Sequence, residues 1–163
     1  MRDFESDSLV FGLSSKPKDQ RPKTFLFRNM PIELTAPTVR DGRHTILVVD
    51  DFDDTRWLLR TWLERKGFRV IEAENGNEAV SEAQNQSPDL IIMDLEMPEL
   101  DGLAATRQIR GLANALAGVP IVAVSAYGAE QFRGPALQAG CNEYVSTPFE
   151  PAELERLIRS YMH

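Results

Sequence analysis

Cysteine is nearly missing from this chain of 163 residues: Cys141 stands alone. One thiol cannot close an intramolecular disulfide, so a small secreted fold stapled by disulfides is excluded and a reducing cytosol fits. Cys141 itself reads as a small packing residue. Long apolar runs are missing too. No stretch approaches the roughly 18 consecutive apolar residues of a membrane span. The opening MRDFESDSLV is acidic early and has no apolar segment, unlike a signal peptide. Basic charge is scarce after residue 44. Residues 45–163 hold ten Lys/Arg against nineteen Asp/Glu, while residues 1–44 hold eight against six, and the whole chain carries −7. Nucleic-acid binding relies on basic groups facing phosphates, so an acidic domain is a poor candidate for it. It suits a divalent cation or a basic partner surface.

Hydrophobic residues at 42% and charged residues at 26% are ordinary for a globular protein. The length predicts one domain with an appendage. Residues 1–44 show no sustained helical or strand period and are interrupted by Pro17, Pro22, Pro31 and Pro37. They read as a mostly disordered tail whose apolar clusters at 9–11 and 25–27 are its only candidate binding elements. Met30 could serve as an alternative start.

From Thr45 the texture changes. Short apolar runs at 46–49, 68–71, 90–93, 119–124 and 144–145 alternate with helix candidates at 53–66, 75–86, 102–111, 127–139 and 150–162. Continuous apolar runs bounded by turn residues suit strands buried on both faces. Gly67, Ser87-Pro88 and Gly140 are placed to end the first, second and fourth helices. Asp53 or Asp54 is placed to cap the first helix, Asp101 to cap the third, and Pro151 to open the fifth. Gly134-Pro135 predicts a break in the fourth, with a restart at Pro135. Five βα units over 45–163 predict an α/β domain with a doubly wound parallel sheet.

Three of the strand ends are polar. The first ends in Asp50 and Asp51, the third in Asp94 and the fourth in Ser125. In a doubly wound sheet, ligands bind beyond the carboxyl ends of the strands at the topological switch point, so these groups should face one pocket. Two like charges about 4 Å apart repel by roughly 4 kcal/mol at an effective dielectric near 20. Protonation would relieve that, and a hard divalent cation would relieve it better. An all-oxygen donor set with no His or Cys nearby favours magnesium over zinc.

The stretches ILVVDD at 46–51, DLEMPELDG at 94–102, VSA at 124–126 and YVSTPF at 144–149 resemble, in order and spacing, the receiver domains of two-component response regulators. The likeness covers nearly all of 45–163 and none of 1–44. It implies a flavodoxin-like sheet of order 2-1-3-4-5 and Asp94 as the phosphoacceptor. It implies Mg2+ held by Asp51 directly, by Asp50 partly through water, by Asp94 and by the backbone carbonyl of Glu96. Ser125 would be the hydroxyl that moves to meet the phosphoryl group, and Tyr144 the aromatic that turns inward with it. A histidine kinase or histidine phosphotransfer protein as donor, a cytoplasmic setting and a cis peptide before Pro148 belong to the same resemblance. One position departs from it. The family carries a lysine before that proline, where this chain has Thr147, and the only Lys in 45–163 is Lys66, at the end of the first helix.

Two rival readings remain. Asp51, Asp53 and Thr55 spell D-x-D-x-T after an apolar strand, as in haloacid-dehalogenase-like phosphatases, with Ser125 placed as a second motif. Against that reading, no lysine or acidic pair follows in the expected place and the chain has no room for a cap domain. The other rival is a degenerate receiver that acts as an adaptor without phosphorylation, as Thr147 suggests. On the leading reading the chain is not an enzyme, beyond slow self-dephosphorylation. If this chain is the whole protein, it signals by contact with a downstream protein, with a homodimer also allowed, and with no nucleic acid or membrane.

Overall fold

Apolar runs become strands where both faces can be covered. In this computed structural model, which describes residues 43–126 and 129–162, the order is β1 (Thr45–Val49), α1 (Asp53–Arg65), β2 (Arg69–Ala73), α2 (Gly76–Gln86), β3 (Leu90–Asp94) and α3 (Gly102–Arg110). A 3-10 turn (Ala115–Gly118), β4 (Ile121–Ser125), α4 (Ala129–Ala139), β5 (Glu143–Ser146) and α5 (Pro151–Tyr161) complete it. The tail and the apolar clusters expected in its first 42 residues lie outside the described residues, as do Tyr127 and Gly128 of the expected fourth helix.

All strand pairs are parallel and the sheet order is β2-β1-β3-β4-β5, the flavodoxin-like order expected. Every residue of β1, β3 and β4 is buried. Alternate residues serve opposite faces. Leu47, Val49, Ile91, Met93, Ile121 and Ala123 pack with Ala79 and Ala83 of α2, Ala105 and Ile109 of α3 and Ala136 of α4. Ile46, Val48, Leu90, Ile92, Val122 and Val124 pack with Leu59, Trp62 and Leu63 of α1 and Leu154 and Ile158 of α5. Each fully buried Leu, Ile or Val contributes about 1.5–3 kcal/mol of transfer free energy, which two covered faces multiply.

The punctuation behaves mostly as expected. Gly67 (φ +93°) and Gly140 (φ +110°) follow α1 and α4 in left-handed conformation, and Ser87 does the same after α2. Asp101 caps α3 by accepting from Ala104 N–H at 2.7 Å. Two expectations fail. The N-cap of α1 is Phe52, which makes no side-chain capping bond, and Asp53 and Asp54 fall inside the first turn. Helix α4 runs unbroken through Pro135. Glycine at 134 removes one of the costs, the clash of the proline ring with a preceding β-carbon, while the lost N–H bond and the crowding of the carbonyl four residues back remain. Pro135 also lies on the exposed face, where water can satisfy the carbonyl left without a donor.

Candidate functional site

The carboxyl ends of β1 and β3 lie side by side, with Val49 in register with Met93. Asp50 and Asp94 follow these two residues, and Asp51 opens the turn into α1. One carboxylate oxygen from each of the three lies within 4.8 Å of the others. Asp50 and Asp94 are buried and Asp51 is half-buried. Oδ1 of Asp50 accepts from Phe52 N–H at 2.9 Å, and Oδ1 of Asp94 accepts from Glu96 N–H at 3.1 Å. Both carboxylates thus bend back on the chain two residues ahead, which fixes their direction. Gly102 lies against the Asp94 main chain, where a β-carbon would run into the Asp94 carbonyl oxygen.

Three carboxylates this close repel by about 3–4 kcal/mol per pair at an effective dielectric near 20. The donors are all hard oxygens, and one ion bonded at about 2.0–2.6 Å can span oxygens at this spacing, so they fit magnesium or calcium rather than zinc. No second cluster of three potential metal ligands occurs among the described residues.

Sequence reasoning missed Arg56. Its Nη1 donates to the Asp50 main-chain carbonyl at 2.6 Å, and its Nη2 pairs with the Asp53 carboxylate. The Arg56 side chain is only 11% exposed although it belongs to the first turns of a surface helix. The sequence signal was its i, i+3 spacing from Asp53, which reads as a solvated pair until the fold turns the guanidinium inward.

Ser125 ends β4, buried, and Tyr144 sits on β5, also buried. Their side chains share a hydrogen bond. Burial pushes the Tyr144 phenol above its ordinary range, the Ser125 bond draws it partly back, and the negative charge of Glu96 pushes it up again. Thr147 is half-buried, and its N–H donates to the Ser125 carbonyl at 2.9 Å. The Thr147–Pro148 peptide is cis, as expected. The D-x-D-x-T spelling does not assemble. Asp53 is 89% exposed on α1 and Thr55 is buried, so the second carboxylate of a phosphatase site is turned to solvent.

The acidic cluster thus lies at the switch point of a doubly wound parallel sheet, the place where such domains bind their ligands. The response regulator receiver domain family matches residues 46–159, and this chain belongs to it. An uncharacterized 14.6 kDa protein of Leptolyngbya boryana is 42% identical over 116 residues, covering 71% of this chain and 88% of that one. The transcriptional regulatory protein ResD of Bacillus subtilis is 39% identical over 117 residues, covering 72% of this chain and 47% of ResD, so the chain spans about half of that regulator. Among solved structures, the receiver domain of a sensor histidine kinase from Pseudomonas aeruginosa, with a magnesium ion coordinated in its active-site cleft, is 38% identical, with a TM-score of 0.68 and coverage of 74% of this chain and 98% of that one. No helix among the described residues is long and apolar enough to cross a membrane.

Proposed function

We propose that this chain accepts a phosphoryl group on Asp94 from a histidine kinase or a histidine phosphotransfer protein, with Mg2+ held by Asp51, Asp94 and the backbone carbonyl of Glu96, and by Asp50 partly through water. The observation that carries the reading is the convergence of the three carboxylates within 4.8 Å in a chain of the receiver family. The related receiver solved with magnesium in its cleft supports the choice of ion. A bound magnesium would neutralise charge between an anionic donor and the carboxylates.

The remaining work falls to the chain. An Asp94 carboxylate oxygen attacks phosphorus, the bond from phosphorus to the donor breaks, and the donor leaves with the electron pair, so Asp94 becomes an acyl phosphate. The Glu96 N–H holds Oδ1 of Asp94 and so orients the carboxylate. On this reading the Ser125 hydroxyl, bonded to Tyr144 before the transfer, turns to the new phosphoryl oxygens. That exchange biases the surface of α4, β5 and α5.

On this reading the chain is an acceptor with slow self-hydrolysis and no other catalysis. Residues 45–163 are the receiver and 1–44 an appendage, in keeping with a family match that begins at residue 46. The receiver itself passes its output by contact with another protein or a second copy, in the cytoplasm. Incubation with a small acyl phosphate and magnesium, followed by intact mass and peptide mapping, tests the reading. One phosphoryl group on Asp94, absent in Asp94→Asn, is expected, and an adduct that survives in that variant overturns it.

A further inference from the structure

We propose that Arg56 is the positioning residue of the acidic pocket: its guanidinium fixes the turn that carries Asp50 and Asp51, and thereby sets how tightly the pocket holds a divalent cation. The inference rests on the reading of the pocket as a magnesium site.

Strand β1 hands over to α1 within residues 50–53, and no side chain caps the helix at Phe52. The acceptors of this turn, the Asp50 carbonyl and the Asp53 carboxylate, are held by a donor from further along the helix. That donor is Arg56. Nη1 binds the Asp50 carbonyl at 2.6 Å and Nη2 the Asp53 carboxylate, while the Arg56 N–H donates to the Phe52 carbonyl at 3.0 Å. One residue thus ties the first carbonyl after the strand to the first turn of the helix. A planar fork with two fixed donors suits this better than a flexible ammonium.

Two effects of opposite sign could follow from a cation here. An uncompensated positive charge would repel magnesium, and removing it would tighten binding. Asp53 compensates that charge, so its field on the pocket is small. The bond to the Asp50 carbonyl acts instead through geometry, because it fixes the peptide joining Asp50 to Asp51 and so the directions of both side chains. Outer-shell partners that orient metal ligands typically change metal affinity by roughly 10- to 100-fold. Geometry therefore dominates.

The test is a magnesium titration of the full chain, read on amide shifts of residues 50, 51 and 94, with melting temperature recorded without metal. Arg56→Ala should raise the Kd about tenfold or more. Arg56→Lys, which retains the charge and one donor, should recover part of that loss. Arg60 lies one turn on and pairs with Glu64 and Glu72, so Arg60→Ala removes a cation of the same helix and should leave the Kd as in wild type. Amide shifts report the folded molecules, so a variant that only lowers stability keeps the wild-type Kd. If Arg56→Ala does not fold, Arg56→Lys carries the comparison, with an intermediate Kd supporting the inference. A wild-type or tighter Kd in the Arg56 variants overturns it while leaving the magnesium reading intact. Absence of binding in wild type overturns both.

Discussion

The hydroxyl of Ser125 is hydrogen-bonded to the phenol of Tyr144, diagonally across β4 and β5, because Tyr144 pairs in register with Ala123 and not with Ser125. Diagonal neighbours on one sheet face are within reach of an aromatic side chain. The bond couples the strand end beside Asp94 to a residue of the core under α4.

That bond makes a titration prediction. Burial holds the Tyr144 phenol protonated to higher pH in the folded state than in the unfolded chain. Its contribution to stability is therefore complete below the unfolded value of about 10 and is lost as pH rises through the folded value. Tyr144→Phe should flatten the loss of stability above about pH 10, measured by denaturant unfolding. Ser125→Ala removes the bond that lowers the phenol pKa, so phenolate absorbance should develop at still higher pH. Unchanged or earlier ionisation in Ser125→Ala would show that the bond does not couple the two residues.

Thr147 is where this chain departs from its family's pattern. Three carboxylates and one magnesium leave about −1, and a phosphoryl group brings about −2 more. Thr147, beside the Ser125 carbonyl, offers a neutral donor where a lysine would offer charge. Wild type should therefore show only a weak change across α4, β5 and α5 on phosphorylation. Thr147→Lys should enlarge that change and raise the melting temperature of the metal-free form. Amide shifts and thermal melts of both proteins check this. A large wild-type shift to which Thr147→Lys adds nothing would remove the missing lysine as a limit on switching.

The first turns of α1 carry a stability defect. The Thr55 hydroxyl is fully buried and has no hydrogen-bond partner among the described residues. A buried polar group left without a partner costs about 1–3 kcal/mol. Valine has nearly the same shape and helix propensity. Thr55→Val should therefore stabilise the fold by about 1 kcal/mol, seen as a higher denaturant midpoint at unchanged slope. A lower midpoint would mean that the hydroxyl is satisfied in solution.

Much of this was legible in the sequence, for physical reasons. β1, β3 and β4 are buried on both faces, so their apolar runs are continuous. The edge strand β2 is harder to delimit. Phe68 belongs to the core but precedes the ladder, while Arg69 and Glu72 lie within it. β4 begins at Ile121 and not at Val119, because the 3-10 turn ends beside Val119 and Pro120 has no N–H to give the ladder. The acidic cluster followed from polar residues at buried strand ends. Three features were not legible. Arg56 reads as a solvated helix residue, α4 continues through Pro135 with only the missing β-carbon of residue 134 to ease it, and Glu99 takes a left-handed φ of +65° that its side chain does not announce.

The central claim, that the Asp50–Asp51–Asp94 cluster is a magnesium-dependent phosphoacceptor site, is tested most directly by the rate of adduct formation from a small acyl phosphate as magnesium is varied. In wild type the rate should rise with magnesium and saturate, fall to background with a chelator, and lose its magnesium dependence in Asp51→Ala. Labelling at the same rate with and without magnesium, or with the same magnesium dependence in Asp51→Ala as in wild type, would contradict the claim.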